Sequence, residues 1–535
     1  MERNGLVRRA KKVGKDKDYV EVNGNIPVKK QLKLKRKQQK LIFVALSSLR
    51  YVVECLFCNF LLMWFLILVL PIAVLNLVLK KVEQFIVCLK VKAVPLRGED
   101  AIWLQDSDTN RLIITSVIIV DKQVDENTAI KDFRQIVYER MVTYKNSDGS
   151  IKFPRAKQFI QPGLFQYFLV EDSNFDIDKH VFKFDGELPK SKEELEGIIS
   201  KMCCEPLRKD RPPWYFCYIA NKFDDTAAVV FRIHHCIADG VSLSRFMTRI
   251  LTDEHKAQKE ARKFSSYARG FMYLKALFVT ARVVISLLLS FPDKSIIHGK
   301  SLIGKKNCVW SQPLDLDLIK RVKTTTGTTI NDVLVASLTM AMRKYFQKKG
   351  VKNPEDFTAS VPVDVSSSTE TIEFQNKFSV VFIKLPSSQE SALDILSETK
   401  ARIDAVKFSG EPFAMAWSMN LSVELLPEIL VKPLISFISI KSTCVMSNVP
   451  GPQHSLSVSG HPIKYMTFWP PQRNNIGVGI SIFSYAGQVV IGAQGDLEVM
   501  NDPEAVTELF DESIHELAAV VLGGEKHNNP SLTSL

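Results

Sequence analysis

The hydrophobic pattern of the chain is dominated by one long apolar run near its beginning. The apolar region starts at Leu41, and from Cys55 to Leu79 there are 25 residues without a charge. At about 1.5 Å of rise per residue, this run exceeds the roughly 30 Å that a bilayer core requires. We therefore predict a membrane anchor at residues 41–80, with a buried core helix as the alternative. The anchor is either a single transmembrane span or a hairpin, bent at Pro71, that dips into the bilayer and returns.

Shorter apolar runs bounded by turn residues follow the anchor and alternate with helical patterns. This alternation predicts a mixed α/β fold, with residues 86–253 as its first half and residues 307–523 as its second. The strands predicted in the first half are Leu112–Val120 and Ala227–Ile233, and the helices are Ile130–Tyr144, Ser191–Cys203 and Ser242–Leu251. The elements predicted in the second half are a helix at Asn331–Lys348, strands at Phe378–Leu385, Ile476–Phe483 and Val489–Gln494, and a closing helix at Pro503–Val521.

Residues 254–306 join the two halves and contain a second apolar stretch, Tyr273–Phe291. Lys275 and Arg282 interrupt this stretch seven residues apart, which places both on roughly one helical face. The pattern predicts either an amphipathic helix in the membrane interface or a crossover helix packed on the protein. Two halves of similar size joined by a crossover also favour a cleft between them. The polar C-terminal residues 524–535 are predicted to be disordered.

The formal net charge of +12 is concentrated at the beginning of the chain. Residues 1–40 carry 14 Lys and Arg against four Asp and Glu, a balance of +10, so the remaining chain is nearly neutral. A basic cytosolic tail beside an apolar segment is typical of binding to the anionic face of a membrane, so we predict membrane lipids as partners and no nucleic acid. A nucleic-acid role stays open for the tail alone. The nine cysteines follow no framework spacing, which favours a reduced, intracellular setting.

The most informative string for chemistry covers residues 231–242 and reads FRIHHCIADGVS. A strand delivers His234 and His235, a tight turn follows at Asp239-Gly240, and a helix begins near Ser242, which we predict as its N-cap. A histidine at a strand end can titrate near neutral pH and act as a general base toward a hydroxyl. The string therefore indicates a catalytic histidine.

The other residues of this string have possible supporting roles. Asp239 is near enough to fold back and hold the loop, through a salt bridge or backbone hydrogen bonds, and Gly240 permits a backbone angle that other residues resist. Two alternatives involve no base catalysis. The adjacent histidines could simply be packed in a core, or they could bind zinc. Two histidines at i and i+1 lack the i, i+4 spacing of a helical metal site, so we predict no metal.

The HHxxxDG string and the apolar strand before it resemble the coenzyme A-dependent acyltransferase superfamily. Within it, the chain is similar to the wax ester synthase/diacylglycerol acyltransferase family, and the similarity spans roughly residues 95–520. Further segments match that family in the expected order: the opening segment Gly98–Leu104, Leu207–Trp214 for D-R-x-P-L-W with Pro213 in place of Leu, Thr328–Leu334 for its N-D helix start, Val361–Asp364 with Asn376, and Ser447–Pro452, which matches S-N-V-P-G-P in full.

The resemblance implies two halves similar to chloramphenicol acetyltransferase, with a tunnel between them. It implies transfer of a fatty acyl group from acyl-CoA, the co-substrate, to diacylglycerol or a long-chain fatty alcohol, without a covalent enzyme intermediate, a metal or a bound cofactor. His235 would be the general base, and His234, Asp239 and Gly240 would support it. The residues expected to line or support the cleft are Arg211, Pro212, Trp214, Asn331, Asp332, Ser447, Asn448 and Gly451.

Some of these positions also have a purely structural explanation. N-capping is sufficient to explain Asn331 and Asp332, and Ser447–Pro452 could be a turn built by Pro and Gly. Pro213 in place of Leu could alter the acyl tunnel, so the acyl length stays open. The preferred acceptor and the oligomeric state also do not follow from the sequence.

The resemblance bears on topology as well. Because acyl-CoA is cytosolic, the catalytic halves are expected to face the cytosol, which favours a hairpin or monotopic anchor over a single span. The expected location is an intracellular membrane, the endoplasmic reticulum, with the plasma membrane as the alternative. Two other functions stay open: a catalytically silent lipid-binding membrane scaffold, and a condensation-type transferase that uses a carrier-protein thioester.

Overall fold

The structure is a computed structural model, and it describes residues 28–122, 125–253, 266–365 and 372–523. Residues 1–27 of the predicted basic tail lie outside the described residues, and so does the C-terminal tail. The chain divides into two compact units, the second of which begins at Trp64, inside the first helix. We call residues 93–523 the body.

Twelve α-helices are present in the described part of the chain. They are α1 (Val28–Lys90), α2 (Gly98–Ala101), α3 (Glu126–Val137), α4 (Lys192–Cys204), α5 (Gly240–Phe246), α6 (Ser266–Leu289), α7 (Leu316–Thr326), α8 (Ile330–Lys348), α9 (Ala392–Lys407), α10 (Glu411–Leu425), α11 (Glu428–Ser439) and α12 (Glu504–Leu522). Five-residue π-helical turns, Tyr138–Val142 and Met247–Leu251, extend α3 and α5.

Sixteen strands accompany these helices within the same described residues. They are β1 (Ala93–Pro95), β2 (Ile113–Asp121), β3 (Gln158–Pro162), β4 (Tyr167–Glu171), β5 (Val181–Lys183), β6 (Trp214–Ala220), β7 (Thr226–His234), β8 (Lys306–Trp310), β9 (Leu314–Asp315), β10 (Phe357–Asp364), β11 (Phe378–Leu385), β12 (Cys444–Pro450), β13 (Ser457–Val458), β14 (His461–Trp469), β15 (Val478–Tyr485) and β16 (Gln488–Asp496).

The first half is built on a six-stranded sheet with the strand order β13-β14-β2-β7-β6-β5. β7 lies inside this sheet and pairs antiparallel with β2 on one side and β6 on the other. All nine of its residues are buried, which accounts for its nearly continuous apolar sequence. The register places His234 opposite Ile113, at the end of the pairing. The histidine pair therefore emerges where the central strand leaves the sheet.

The second half is built on a seven-stranded sheet with the order β11-β10-β12-β15-β16-β8, in which β9 also pairs with β16. β12 pairs parallel with β10 and β15, and it carries Ser447 and Asn448. The apolar side chains of these strands share one core with α7, α8, α9 and α12. A third, small sheet has the order β1-β4-β3.

The second half contributes a strand to the sheet of the first. β14, which follows most of the second sheet in sequence, pairs antiparallel with β2 of the first sheet, so that Met466 lies opposite Ile118. β13 pairs with β14 and forms the edge of the same sheet. The first sheet is therefore complete only when residues 457–469 are in place.

The predicted mixed α/β class is confirmed. The strand predicted at Phe378–Leu385 has the same bounds in the structure, and the helix predicted at Asn331–Lys348 begins one residue earlier, at Ile330. The predicted apolar crossover stretch corresponds to α6. One side of α6 packs on α10, where the ring of Tyr273 lies 4.9 Å from that of Phe413.

The favoured hairpin in the anchor is wrong. α1 is one helix over Val28–Lys90, and it continues through Pro71 without a turn. By length and composition, its segment Leu46–Lys90 could cross a membrane, and so could Arg269–Leu289 of α6. A proline inside a helix removes one hydrogen bond, and the sequence around Pro71 has no Gly, Asn or Ser cluster to build a reversal. Pro71 alone is thus insufficient to turn the chain.

Gly451 provides a test of the packing between β12 and β15. A Cβ atom at this position would lie 2.3 Å from the carbonyl oxygen of Ser484 and 2.7 Å from the ring of Phe483. Backbone cannot move aside cheaply, so we predict that Gly451→Ala destabilises the protein by about 1–3 kcal/mol. The measurement is the thermal unfolding midpoint in detergent. Gly197→Ala, in α4 with open space around its Cβ, is the matched control and should be neutral or slightly stabilising. Equal midpoints for the two variants would contradict the prediction.

Candidate active site

The backbone of His235 is held from both sides. Its N–H donates to the carbonyl oxygen of Leu112 at 2.9 Å. Its own carbonyl oxygen accepts a hydrogen bond of 2.9 Å from Nδ2 of Asn376. The first contact continues the pairing of β7 with β2, and the second comes from the segment before β11. The residue is therefore fixed at the junction of the two halves.

The imidazole ring of His235 lies between aromatic side chains. The ring of Trp103 stacks on it with a centroid distance of 3.7 Å and an interplanar angle of 19°, and Phe378 lies 5.4 Å away. The residue is only 6% exposed. Nδ1 is enclosed by protein and has no hydrogen-bond partner among the described residues. Nδ1 is therefore closed to any group from outside the protein.

The surroundings of His235 favour a neutral ring. Burial lowers the pKa of this imidazole to about 3; the contact with its own backbone opposes that shift, and the positive charges of His234 and Arg473 add to it. Burial disfavours a charged group because water no longer solvates it. At neutral pH the ring is thus uncharged, and the same lowering of the pKa makes it a weaker base than an exposed histidine.

The pKa of His234 is shifted in the opposite direction. Its Nε2 donates to Oδ2 of Asp106 at 3.0 Å, and its Nδ1 lies 3.0 Å from Sγ of Cys236. Burial alone would lower the pKa of His234, but Cys236 and the Asp106 carboxylate outweigh it and raise that pKa above its ordinary value. The pKa values of the two adjacent histidines are therefore shifted in opposite directions by different neighbours.

Asp239 does not contact the His235 ring through any hydrogen bond in the described residues. Its Oδ1 accepts from the backbone N–H of Ser242 at 2.7 Å, and its Oδ2 accepts from that of Lys377 at 2.8 Å. Its own N–H donates to Gln375 at 3.1 Å. The predicted N-cap, Ser242, is wrong: Asp239 is the N-cap and α5 begins at Gly240, because the carboxylate reaches the third residue of the helix. Asp239 thus ties the motif loop to the second half.

A buried network missed by the sequence analysis surrounds the motif. The carboxylate of Asp100 accepts from Nη2 of Arg155 at 2.6 Å and from Nδ2 of Asn376 at 2.9 Å. Arg155 also donates to the carbonyl oxygen of Ile237 at 2.9 Å. Asp100 and Trp103 belong to the opening segment that resembled the family, so that similarity was the signal available for them.

Arg473 is the second missed residue. Its guanidinium lies 4.8 Å from the ring centroid of Trp103, and Nη2 donates to the carbonyl oxygen of Ile102 at 2.8 Å. The tryptophan that stacks on His235 is therefore itself in contact with a cation. No local pattern marks Arg473 or Asp106, because their importance depends on residues far away in the sequence.

The residues of the Arg211–Trp214 segment support the strand that carries the motif. Arg211 pairs with Asp210 at 3.2 Å. Pro212 is buried, and the carbonyl oxygen of Pro213 accepts from the N–H of His234 at 2.9 Å. The indole N–H of Trp214 donates to the carbonyl oxygen of Ala156 at 2.9 Å. Of these contacts, the hydrogen bond between Pro213 and His234 joins the segment to β7 at the motif.

Two of the residues predicted to support the cleft from the second half form a hydrogen bond with each other. Nδ2 of Asn448 donates to Oδ1 of Asn331 at 2.9 Å, which joins β12 to the start of α8. Asp332 forms a capping box with Thr329, so N-capping is present there. Ser447 is buried on β12 opposite Ser481. The structure brings these residues together at β12 and α8.

An apolar pocket of about 60 Å³ lies beside the motif. It is lined by strands of both halves and by α5, through Gly240 and the side chains of Ile114, Ser116, Ile118, Phe231, Leu243, Ser244, Met247, Thr248, Val449, Met466, Thr467, Phe468 and Phe483. Methionine side chains are flexible, so Met247 and Met466 make this wall adaptable. The lining is thus apolar and adaptable, while its volume of about 60 Å³ is well below that of ordinary ligand pockets.

Family models and known proteins agree on one assignment. The model of the wax ester synthase/diacylglycerol acyltransferase catalytic domain matches residues 96–293, and the model of the C-terminal domain of the same family matches residues 374–518. A probable diacylglycerol O-acyltransferase of Mycobacterium tuberculosis is 23% identical over 388 residues, which cover 66% of this chain and 81% of that protein. Wax ester synthase/diacylglycerol acyltransferase 2 of Arabidopsis thaliana is 24% identical over 396 residues, covering 64% and 80%.

Solved structures share the fold. The wax ester synthase/diacylglycerol acyltransferase of Marinobacter aquaeolei VT8 superposes with a TM-score of 0.58 at 19% identity, over 80% of this chain and 100% of that one. The first condensation domain of the calcium-dependent antibiotic synthetase gives a TM-score of 0.54 at 13% identity, over 80% and 96%. Together with the HHxxxDG site, the fold defines an acyltransferase of two α/β halves. The chain belongs to the wax ester synthase/diacylglycerol acyltransferase family.

The Asp239 carboxylate joins the two halves through hydrogen bonds from Ser242 and Lys377, and this link can be tested by substitution. Asp239→Asn keeps one acceptor but turns an amide N–H₂ toward a backbone N–H, which leaves a buried donor unpaired. We predict destabilisation by about 1–3 kcal/mol, measured by thermal unfolding in detergent. Asp315→Asn is the matched control, because Asp315 is the exposed N-cap of α7 and accepts only from the N–H of Asp317. Asn caps as well as Asp, so this variant should be unchanged. A neutral Asp239→Asn would argue against the assigned clamp.

Proposed function

We propose that this acyltransferase moves a fatty acyl group from acyl-CoA to the hydroxyl of diacylglycerol or of a long-chain fatty alcohol, with His235 as the general base. The observation that carries the proposal is the buried, neutral imidazole of His235 at the end of β7, beside an apolar pocket. Membership of the family supports the acyl chemistry, and the names of the relatives support the two acceptors.

The proposed reaction needs one proton acceptor. Nε2 of His235 removes the proton of the acceptor hydroxyl, and the oxygen attacks the thioester carbonyl carbon. The tetrahedral intermediate collapses, the C–S bond breaks, and the coenzyme A thiolate takes the proton back from the imidazolium. The face of Trp103 under the ring stabilises the transient positive charge through a cation–π interaction. Atoms and charge balance without a metal, a bound cofactor or a covalent enzyme intermediate.

The remaining assignments follow from the substrates. The acyl chain occupies the pocket beside Gly240, which has to widen by rotation of its methionine side chains. Both acceptors are membrane-soluble, so attachment through α1 concentrates them near the enzyme. Because acyl-CoA is cytosolic, we place the body on the cytosolic side of an intracellular membrane, which we assign to the endoplasmic reticulum. The N-terminal tail is predicted on the same side, so α1, as one helix without a reversal, would be a monotopic anchor that does not cross the bilayer.

The first test removes the base. We predict that His235→Ala lowers kcat by roughly 10²–10⁴-fold, the usual contribution of a positioned general base. Membranes containing the full chain are supplied with labelled acyl-CoA and either diacylglycerol or hexadecanol, and the labelled ester is measured. His515→Ala, at an exposed position of α12, is the control and should keep wild-type activity.

The same assay separates the alternatives. Equal product from wild type and His235→Ala would exclude the assigned role of His235. Lipid binding without turnover by the wild type would favour a silent scaffold. Preference for acyl-carrier protein over acyl-CoA would favour a condensation-type transferase. The ratio of triacylglycerol to wax ester identifies the acceptor.

The second test uses pH. A base whose pKa is lowered to about 3 stays neutral from pH 8 to pH 6. An ordinary histidine, with a pKa of about 6.5, would lose roughly three quarters of its neutral form at pH 6. We therefore predict that kcat/KM is constant between pH 6 and pH 8. Activity recovered at pH 8 after incubation at pH 6 controls for unfolding. A roughly fourfold fall in kcat/KM toward pH 6 would show that the ring titrates normally.

A further inference from the structure

The C-terminal part of α1 contacts the body through its polar residues. Nδ2 of Asn76 donates to the carbonyl oxygen of Leu425 at 3.1 Å, and Nζ of Lys80 donates to that of Glu424 at 2.9 Å. The carboxylate of Glu83 accepts from the N–H groups of Leu164 and Phe165. Asn76, Lys80 and Glu83 follow one another at three- to four-residue spacing, so they form one face of the helix.

The opposite face of this segment is apolar and exposed. It consists of Leu75, Val78, Val82, Phe85 and Leu89, which also recur at three- to four-residue spacing, and Phe85 is 68% exposed. A helix on the surface of a soluble protein turns its apolar face to the core and its polar face to water. Here the polar face docks and the apolar face points away from the body.

α6 also leaves an apolar side exposed, although its buried residues, Met272, Ala276, Val279 and Ala281, are themselves apolar. Nζ of Lys275 donates to the carbonyl oxygen of Phe408 in the body. Arg282 lies on the same face and interacts electrostatically with Glu411 of α10. Burial raises the pKa of the Glu411 carboxyl, and the positive charge of Arg282 opposes part of that rise. Phe271, Leu274 and Leu277 are exposed, Leu274 by 68%. Lys275 and Arg282 therefore interact with the protein beside an apolar contact, and a second apolar side of α6 is left exposed.

Two further apolar side chains are exposed on elements next to these helices. In α11, Ile429 is 79% exposed, and in the turn between β3 and β4, Leu164 is 88% exposed. The elements are linked to one another by direct contacts. Glu83 of α1 holds the β3–β4 turn, Lys80 reaches the end of α10, and α10 carries α6. The hydroxyl of Tyr167 donates to Glu428 of α11 at 2.7 Å.

We infer that the outward faces of α1 (residues 75–89), α6 and α11, with the β3–β4 turn, form one surface that lies against a phospholipid bilayer. Exposed apolar area of this extent is rare on soluble monomers. α1 and α6 also contain long apolar segments of the length and composition found in membranes, Leu46–Lys90 and Arg269–Leu289. The exposed side chains of Lys81, Lys90 and Lys92, at the end of α1, suit anionic headgroups.

The inference does not depend on the proposed chemistry. It adds a second membrane contact to the anchor, one formed by the body itself. If the body had no membrane-facing surface, α11 would lie in water even with α1 attached to the membrane. Whether α11 contacts water or lipid can therefore be measured as a test.

The test places a fluorophore on the surface of the full chain. Single cysteines are introduced as Leu274→Cys and Ile429→Cys into a Cys88→Ser background, because Cys88 is an exposed native thiol. Each is labelled with an environment-sensitive dye and reconstituted into phosphatidylcholine/phosphatidylserine vesicles. Glu512→Cys, at an exposed position of α12, is the control, and the unsubstituted Cys88→Ser protein gives the background.

We expect the dyes at 274 and 429 to shift to shorter wavelengths and to lose emission to doxyl-labelled lipids but not to iodide. The dye at 512 should lose emission to iodide only. Quenching of positions 274 and 429 by iodide would overturn the inference, because the surface would then face water. Quenching by neither agent would also overturn it, since protein would then cover the surface, and chemical cross-linking would show whether a second copy does so.

Discussion

The hydrogen bonds of one fully buried carboxylate, that of Asp100, hold the site together. It joins Arg155, which belongs to the first half, to Asn376, which precedes β11 of the second. The amide of Asn376 in turn holds the backbone of His235, and Arg155 holds that of Ile237. A buried charge that loses its partner costs about 3–5 kcal/mol. The position of the motif therefore depends on both halves being in place around Asp100.

The same segment connects the anchor to the chemistry. Trp103, which stacks on His235, lies 13 residues after Lys90, the end of α1 (103 minus 90). Asp100 and Trp103 are thus contributed by the stretch of chain that leaves the anchor. Arg473 completes this arrangement from the second half by contacting Trp103. The imidazole is kept neutral by enclosure on all these sides, whereas the adjacent His234 has a carboxylate within hydrogen-bond distance.

Periodicity and similarity predicted a large part of this structure. β7, β11 and α8 were predicted within one residue at each end. β7 and α8 are largely buried, β11 alternates buried and partly exposed residues, and each has clear turn residues beside it. The His235 position followed from its place at the end of β7. The hairpin failed because a proline bends a helix more readily than it reverses one, and Ser242 was chosen as N-cap because the reach of Asp239 could not be seen in the sequence.

The parts that could not be predicted are those made by distant residues. Asp100 and Asn376 are 276 positions apart, and neither lies in a local pattern that indicates a buried network. The polar residues of α1 were equally ambiguous, because Asn76, Lys80 and Glu83 acquire a role only when the body meets them. Family similarity marked the opening segment as a whole, but it did not distinguish Asp100 and Trp103 from their neighbours.

The contribution of β14 to the first sheet also affects folding during synthesis. The partner of Val120 in β2 is Ile463, which the ribosome adds 343 residues later (463 minus 120). At roughly 5–20 residues per second, β2 waits on the order of 20–70 seconds with an unpaired edge. Exposed strand edges pair readily with other chains, and such distant contacts form slowly. During synthesis the nascent first half is therefore an aggregation-prone species that needs protection by chaperones until β14 emerges.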